Sequence, residues 1–232
     1  MATVGTWEPL SSSWAAARFA GPLPSRLYRY RPIDPANLER LIGFEIVEEA
    51  LFLAGAGELN DPDEGHIQWV IEGNTKFIRR RLEEILKEQS HGVALAIIQQ
   101  RAREIARTIE MERRVLRPAI TAQFAAVIAQ LIRVACFTTA PLNGPMWSHY
   151  GRLAEGSKAI EHGGVCIEYE CDESWRDAGL SPVSYEADRP RINAMAPTEE
   201  KASQFAKAVL VKDPRWAYED EWRIVACIQS AP

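Results

Sequence analysis

Two short blocks concentrate the side chains able to do chemistry: YEDEWRI at Tyr218–Ile224 and MWSHYG at Met146–Gly151. If the first block is a strand, its side chains alternate between faces. Glu219, Glu221 and Arg223 then share one face, and Trp222 points away into core. Charges at the entry to a buried strand need partners or a ligand, because an isolated charge is costly away from water. Paired carboxylates can move protons and stabilise a developing cation. The plainer alternative is a salt bridge at the strand end, Glu221 with Arg223 or with Arg29.

The second block follows a turn, PLNGP, and offers Trp147, Ser148, His149 and Tyr150 as a binding wall. Ser148 and His149 are neighbours, so on a helix they diverge by about 100° and cannot serve as nucleophile and base for one another. No GxSxG elbow is present. Gly55–Ala56–Gly57 imitates a dinucleotide fingerprint, but Asn60 stands where the third glycine belongs. No phosphate loop of the GxxxxGK[ST] type occurs. No metal is expected. Cys136, Cys166, Cys171 and Cys227 lack CxxC spacing, and His66, His91, His149 and His162 are scattered.

The elements that must position these blocks can be read coarsely. LYRYR at Leu27–Arg31 alternates and stops at Pro32, which predicts a strand. Asp34 and Pro35 suit the cap and first position of a short helix over ANLERLI. FEIVEEALFLA then reads as extended. From about 66 to 133 apolar residues recur at helical spacing, divided by Gly92 and Pro118. Val134–Thr138 and Val165–Tyr169 read as strands, Thr198–Val209 as an amphipathic helix, and Trp222–Ile228 as a last strand. The order predicts an α+β fold with a mixed, mostly antiparallel sheet and a helical insert. Residues 1–25 read as a flexible arm and 26–232 as one domain.

Of the 232 residues a quarter are charged and nearly half are hydrophobic, ordinary for a globular chain. No apolar run reaches the roughly 20 residues of a membrane span. The start lacks the pattern of a secretory signal. With cysteines inside apolar runs, a reduced, cytoplasmic protein is expected. The net charge of −5 hides an asymmetry: residues 76–117 hold eleven Lys/Arg against six Asp/Glu, leaving sixteen against twenty-six elsewhere. A basic helical stretch on an acidic body could meet nucleic acid or an acidic partner. Its plainer reading is a solvated face of Arg/Glu pairs.

LYRYRP, LNDP, MWSHY with GGVCIEY, and YEDEWR occur in the order of a bacterial family called domain of unknown function 2971, which the chain resembles. There the blocks run LYKYR, NDPF, MWSHYA with HKGFCIEY, and YEKEWR. Two departures stand out: Asp63 follows NDP where the family has an aromatic, and the segment from Tyr150 to Gly163 is longer. A second resemblance is to the ADP-ribosyltransferase fold, in which a first strand carries Arg or His and a late strand carries a catalytic Glu. That resemblance implies NAD as substrate, with transfer of ADP-ribose to a macromolecule or NAD hydrolysis. It implies Glu221 and Glu219 as catalytic. It implies Arg29, Tyr30, Trp147, Ser148, His149, Tyr150 and Arg223 as cofactor contacts, with Asn60, Asp61 and Thr138 at the rim. The acceptor, nucleic acid or protein, would meet the basic helices. A toxin or phage-defence role with an antitoxin or regulatory partner would follow. The alternatives are a non-catalytic nucleotide- or peptide-binding sensor and a nuclease.

Overall fold

A computed structural model describes residues 8–9, 19–34, 38–39, 41–48, 50–55, 58–59, 67–90, 92–111, 132–155, 158–197, 200, 204–205 and 207–227. Asn60, Asp61 and Pro118 lie outside these residues, as does most of the expected N-terminal arm. The fold is α+β, with a mostly antiparallel main sheet.

The strands are β1 (Glu8–Pro9), β2 (Arg26–Arg31), β3 (Ala54–Gly55) and β4 (Gln68–Val70), then helices α1 (Thr75–Gln89) and α2 (Leu95–Met111). Strand β5 (Ile132–Thr138) leads through a turn to α3 (Gly144–Tyr150). Next come β6 (Leu153–Glu155), β7 (Lys158–Ile160), β8 (Val165–Glu170), α4 (Glu173–Asp177), β9 (Ser181–Pro182), β10 (Ser184–Tyr185) and β11 (Arg191–Asn193). The chain closes with β12 (Val211–Lys212), a 3₁₀ helix (Pro214–Glu219) and β13 (Glu221–Cys227).

The main sheet runs β1-β13-β5-β2-β8, antiparallel throughout, with β3 beside β5 and β9 beside β13. Strands β13 and β5 pair over their full length, from Glu221 opposite Thr138 to Cys227 opposite Ile132. Strand β2 instead pairs with β5 at one position, Tyr28 opposite Thr138, while β3 takes the other end of that edge. The sheet therefore has an incomplete seam between β2 and β5. Two parallel pairs, β10 with β12 and β11 with β4, make the architecture mixed.

Both faces of the β5–β13 pair are buried, which explains why these strands are near-continuous apolar runs. One face carries Val134 and Val225 into a core shared with Ile78 and Leu82 of α1 and Ala102, Ala106 and Ile109 of α2. The other carries Ala135, Phe137 and Ile224 into a core with Leu27, Leu180 and the rings of Tyr169 and Trp175. Asn74 caps α1 by accepting from Phe77 N at 2.8 Å. The residues α2 buries, Ile98, Ala102, Ala106 and Ile109, recur every three or four positions, so one stripe of the helix faces the core. On the outer side of α1, Arg79 reaches Glu83, and Arg80 and Arg81 reach Glu84.

Two local expectations are corrected. The helical stretch expected from about 66 opens with strand β4, held by β11 through Trp69 opposite Ile192. FEIV, the start of FEIVEEALFLA, is not extended, whereas its last residue, Ala54, enters β3. Leu41–Val47 forms a wide π-helical turn, in which Glu48 N reaches Gly43 O five residues back at 3.0 Å. A tertiary contact accompanies the change: buried Glu45 is bound by Arg31 of β2. Of the helix expected over Thr198–Val209, residues 200, 204–205 and 207–208 are helical and Val209 is in a turn, while 198–199, 201–203 and 206 lie outside the described residues.

Candidate functional site

A cavity of about 190 Å³ opens along the seam between β2 and β5. Its lining comes from both sides of the sheet, Tyr28, Tyr30, Cys136 and Thr138 from one and Arg29, Arg31 and Phe137 from the other. Tyr150 closes one wall, and Lys212, Glu219 and Glu221 form the floor.

The floor is built by a turn. Asp213 caps the 3₁₀ helix by accepting from Arg215 N at 2.9 Å, and Pro214 starts it. The helix ends at Asp220, whose φ of 44° is a left-handed conformation that Asp tolerates better than most residues. Strand β13 starts immediately afterwards. Thr138 fixes the turn by donating from Oγ1 to Glu219 O at 2.6 Å, and Glu221 N donates to Tyr185 Oη at 2.9 Å. Glu219 and Glu221 thus converge across a turn rather than along one strand face.

They converge on a lysine. Lys212 Nζ donates to Glu219 Oε2 at 2.6 Å and to Glu221 Oε2 at 3.0 Å. Arg223 binds Glu221 as a fork, Nε to Oε1 at 2.8 Å and Nη2 to Oε2 at 2.9 Å, and gives Nη1 to Val209 O. Tyr150 Oη donates to the free side of Glu219, Oε1, at 2.7 Å. Two carboxylates and two cations are sealed together, with Arg223 1%, Glu219 2%, and Glu221 and Lys212 each 5% exposed. Burial alone would push Lys212 down, but the charges of Glu221 and Glu219 outweigh it and hold the ammonium well above its ordinary value. Burial raises Glu221, opposed by the charge of Lys212. Cys136 is also pushed up, first by burial and then by the Glu221 carboxylate.

The remaining expected residues divide. Tyr30 and Thr138 line the cavity, with Tyr30 Oη donating to Ala140 O at 2.8 Å. Arg29 lines it too, but its side chain shares a face with Leu27 and stacks on Phe137, 5.5 Å from the ring centroid. Its Nη2 donates to Phe52 O at 2.6 Å. Its Nη1, beside Tyr169 and 3.7 Å from Glu45, makes no hydrogen bond of good geometry. Trp147 does not line the cavity. It backs Tyr30 edge-on at 5.0 Å and donates to Pro141 O. Ser148 faces outward to His162 at 3.1 Å, and His149 is exposed beside Trp216 and Tyr218. Arg223 is no ligand contact in this arrangement, because its guanidinium is spent on Glu221 and Val209. Lys212 was not anticipated. Its only signal in the sequence is a lone lysine ending the apolar run AVLVK before Asp213–Pro214.

Among the described residues, no group of three or more His, Cys, Asp or Glu is placed to hold a metal ion, and no helix is long and apolar enough to cross a membrane. No curated protein and no solved structure matches the chain. Residues 146–224, about a third of the chain, match the model of a family described as "Protein of unknown function (DUF2971)". The segment carrying Tyr150, Lys212, Glu219 and Glu221 is therefore similar to that family, and the match takes in the MWSHY, GGVCIEY and YEDEWR blocks.

Proposed function

We propose that the cavity binds NAD and that the protein is ADP-ribosyltransferase-like, passing ADP-ribose to a macromolecule or to water. One observation carries the reading. Two carboxylates, Glu219 and Glu221, meet at the floor of a cleft between β2 and β5 of an antiparallel sheet. Breaking the nicotinamide–ribose bond sends its electron pair to nicotinamide and leaves a cationic sugar, as in glycoside cleavage. A buried carboxylate stabilises that cation, since little water screens it. Glu221 would take this role, and Glu219 would accept the proton lost by the attacking nucleophile. Tyr150 and Tyr28 offer rings to nicotinamide. Arg29, whose Nη1 lies 3.7 Å from Glu45 Oε1, would turn that donor to a phosphate oxygen. The nicotinamide–ribose end would enter the cavity, and the rest of the dinucleotide would cross its mouth.

A toxin or phage-defence role, restrained by a regulatory partner, is the biological setting that goes with this chemistry. The test is nicotinamide release on incubation with NAD, with Glu221→Gln and Glu219→Gln as controls. A mass-spectrometric search for ADP-ribose on RNA, DNA and protein would accompany it. Undepleted NAD and unmodified macromolecules would remove the enzyme reading. One observation favours a second reading, a non-catalytic nucleotide or peptide sensor. Every oxygen of Glu219 and Glu221 already holds an internal partner. NAD binding without turnover would decide for the sensor.

A further inference from the structure

Outside the cavity three aromatic rings form a surface that NAD cleavage does not require. His149 lies on α3, one residue before Tyr150. Trp216 and Tyr218 lie on the 3₁₀ helix, and Tyr218 directly precedes Glu219. Ring centroids are 6.1 Å apart for Trp216 and Tyr218, 6.5 Å for His149 and Tyr218, and 6.3 Å for His149 and Trp216. The rings of His149 and Trp216 are inclined by 33° and 36° to Tyr218 and by 59° to each other. The three centroids stand at the corners of a nearly equilateral triangle, so the rings form one compact cluster. His149 is exposed, and Trp216 and Tyr218 are half-buried, so none is consumed by the core. The hydrogen bond from Tyr150 to Glu219 stands between this array and the cavity.

Aromatic surfaces of this kind suit a cation, an aromatic peptide or a nucleobase, and the structure separates them. Lys212 Nζ lies 5.0 Å from the centroid of Trp216. Lys212 is buried, so it occupies the inner side of that ring. A positive charge on one face draws ring density toward itself. The outer face is then a poor seat for a second cation and a better one for an electron-rich ring. The array is also wider than one side-chain ring, which fits a purine or successive bases better than a single Phe or Tyr. Two cationic residues adjoin the cluster along the chain: exposed Arg215 precedes Trp216, and exposed Arg152 reaches back to Ser148 O, next to His149, at 2.7 Å. Asp213 pairs with Arg215, which a phosphate would draw away, and the Asp220 carboxylate accepts from Thr139.

We infer that His149, Trp216 and Tyr218 form a stacking surface for the bases of a single-stranded nucleic acid. The strand must be single because bases in a duplex are already stacked, whereas an open strand presents its faces. Arg152 and Arg215 would meet the phosphates. The surface stands apart from NAD chemistry, but it would present a strand at the wall that Glu219 shares with the cavity.

The test uses the full chain and a fluorescein-labelled single strand of about ten nucleotides, read by anisotropy, since stacking sites of this kind span a few to a dozen or so nucleotides. Trp216→Leu is expected to weaken binding by about five- to a hundredfold, the usual cost of losing one stacked base. Trp216→Phe, which keeps a ring, should retain most of it, and Tyr218→Leu should behave like Trp216→Leu. The same sequence as a duplex should bind more weakly than the strand. Equal affinity for wild type and Trp216→Leu, with matched melting temperatures, would overturn the inference. So would equal binding of duplex and strand, or preference for a trimethyl-lysine peptide. Adenosine monophosphate binding as tightly as the strand would overturn the strand in favour of a free nucleotide. Nicotinamide release is followed in the same preparation. Ring-dependent strand binding without nicotinamide release refutes NAD cleavage alone, and release with ring-independent binding refutes the stacking surface alone.

Discussion

Replacing Lys212 with methionine tests the floor of the cavity most directly. Methionine keeps the length of the side chain and removes its charge. Two buried carboxylates, Glu219 and Glu221, would then face one remaining cation, Arg223. Removing one partner of a buried ion pair costs about 3–5 kcal/mol, far more than an exposed pair is worth, because the stranded charge stays buried. For a chain of this size that corresponds to a melting temperature lower by about 6–20 °C. The cost is a sizeable part of the roughly 5–15 kcal/mol that holds an ordinary domain together. Urea unfolding at neutral pH should show it as a lower midpoint with an unchanged slope.

The pH dependence gives the sign. Burial already raises Glu221, and Lys212 is the largest influence lowering it. Without Lys212 the carboxyl rises further, so the folded variant binds a proton that the unfolded chain has released. Stability then falls as pH rises through the raised folded value, and is fully present below the ordinary carboxylate range. The deficit of Lys212→Met should therefore be largest at neutral pH and shrink in acid. Adding Glu219→Gln removes one stranded charge and should return about 1–3 kcal/mol as a coupling energy. If Lys212→Met is as stable as wild type at pH 7, or if its deficit does not change with pH, the cluster is not a sealed charge balance.

Three smaller predictions follow from neighbouring contacts. Asn143→Ala removes the cap that accepts from Met146 N and the bond from Nδ2 to Tyr218 O; it should cost about 1–2 kcal/mol in urea unfolding. Tyr185, pushed up to about 12 by burial, stays neutral in the folded state while the unfolded chain ionises from about pH 10. Wild type should lose stability as pH rises from about 10 to 12, and Tyr185→Phe should lose it less steeply in pH-dependent melts. A Cβ on Gly164 would stand 2.4 Å from Arg31 O and 2.7 Å from Gly151 C, both backbone; Gly164→Ala should cost about 1–3 kcal/mol or more, read as a lower urea midpoint.

The strands of the site were legible because their burial is two-sided. Val134–Thr138 and Trp222–Ile228 are short apolar runs, and the β5–β13 pair they form is covered on both faces. Alternation also placed Trp222 opposite Glu221 and Arg223 correctly. The π-helical turn was not legible. Its residues, FEIV, have the composition of a strand, and the contact of Glu45 with Arg31 is a fact of tertiary structure that propensity does not contain.

The case of Glu219 shows why part of the site stayed hidden. Alternation put it beside Glu221, and it does lie there, but through a different cause. The chain leaves a 3₁₀ helix at Glu219, turns through the left-handed Asp220 and enters β13 at Glu221. What brings the two carboxylates together is Lys212, which sits on a two-residue strand fixed by its parallel partner β10. A lysine seven residues before one carboxylate and nine before the other has no periodic relation to either. Its pairing is decided by the turn and by burial, which leave a long cationic side chain no water to reach. Sequence pattern can therefore find residues that share an element, such as Glu221 and Arg223. It misses a partner delivered by a short crossing strand, and here that partner sets the charge of the whole floor.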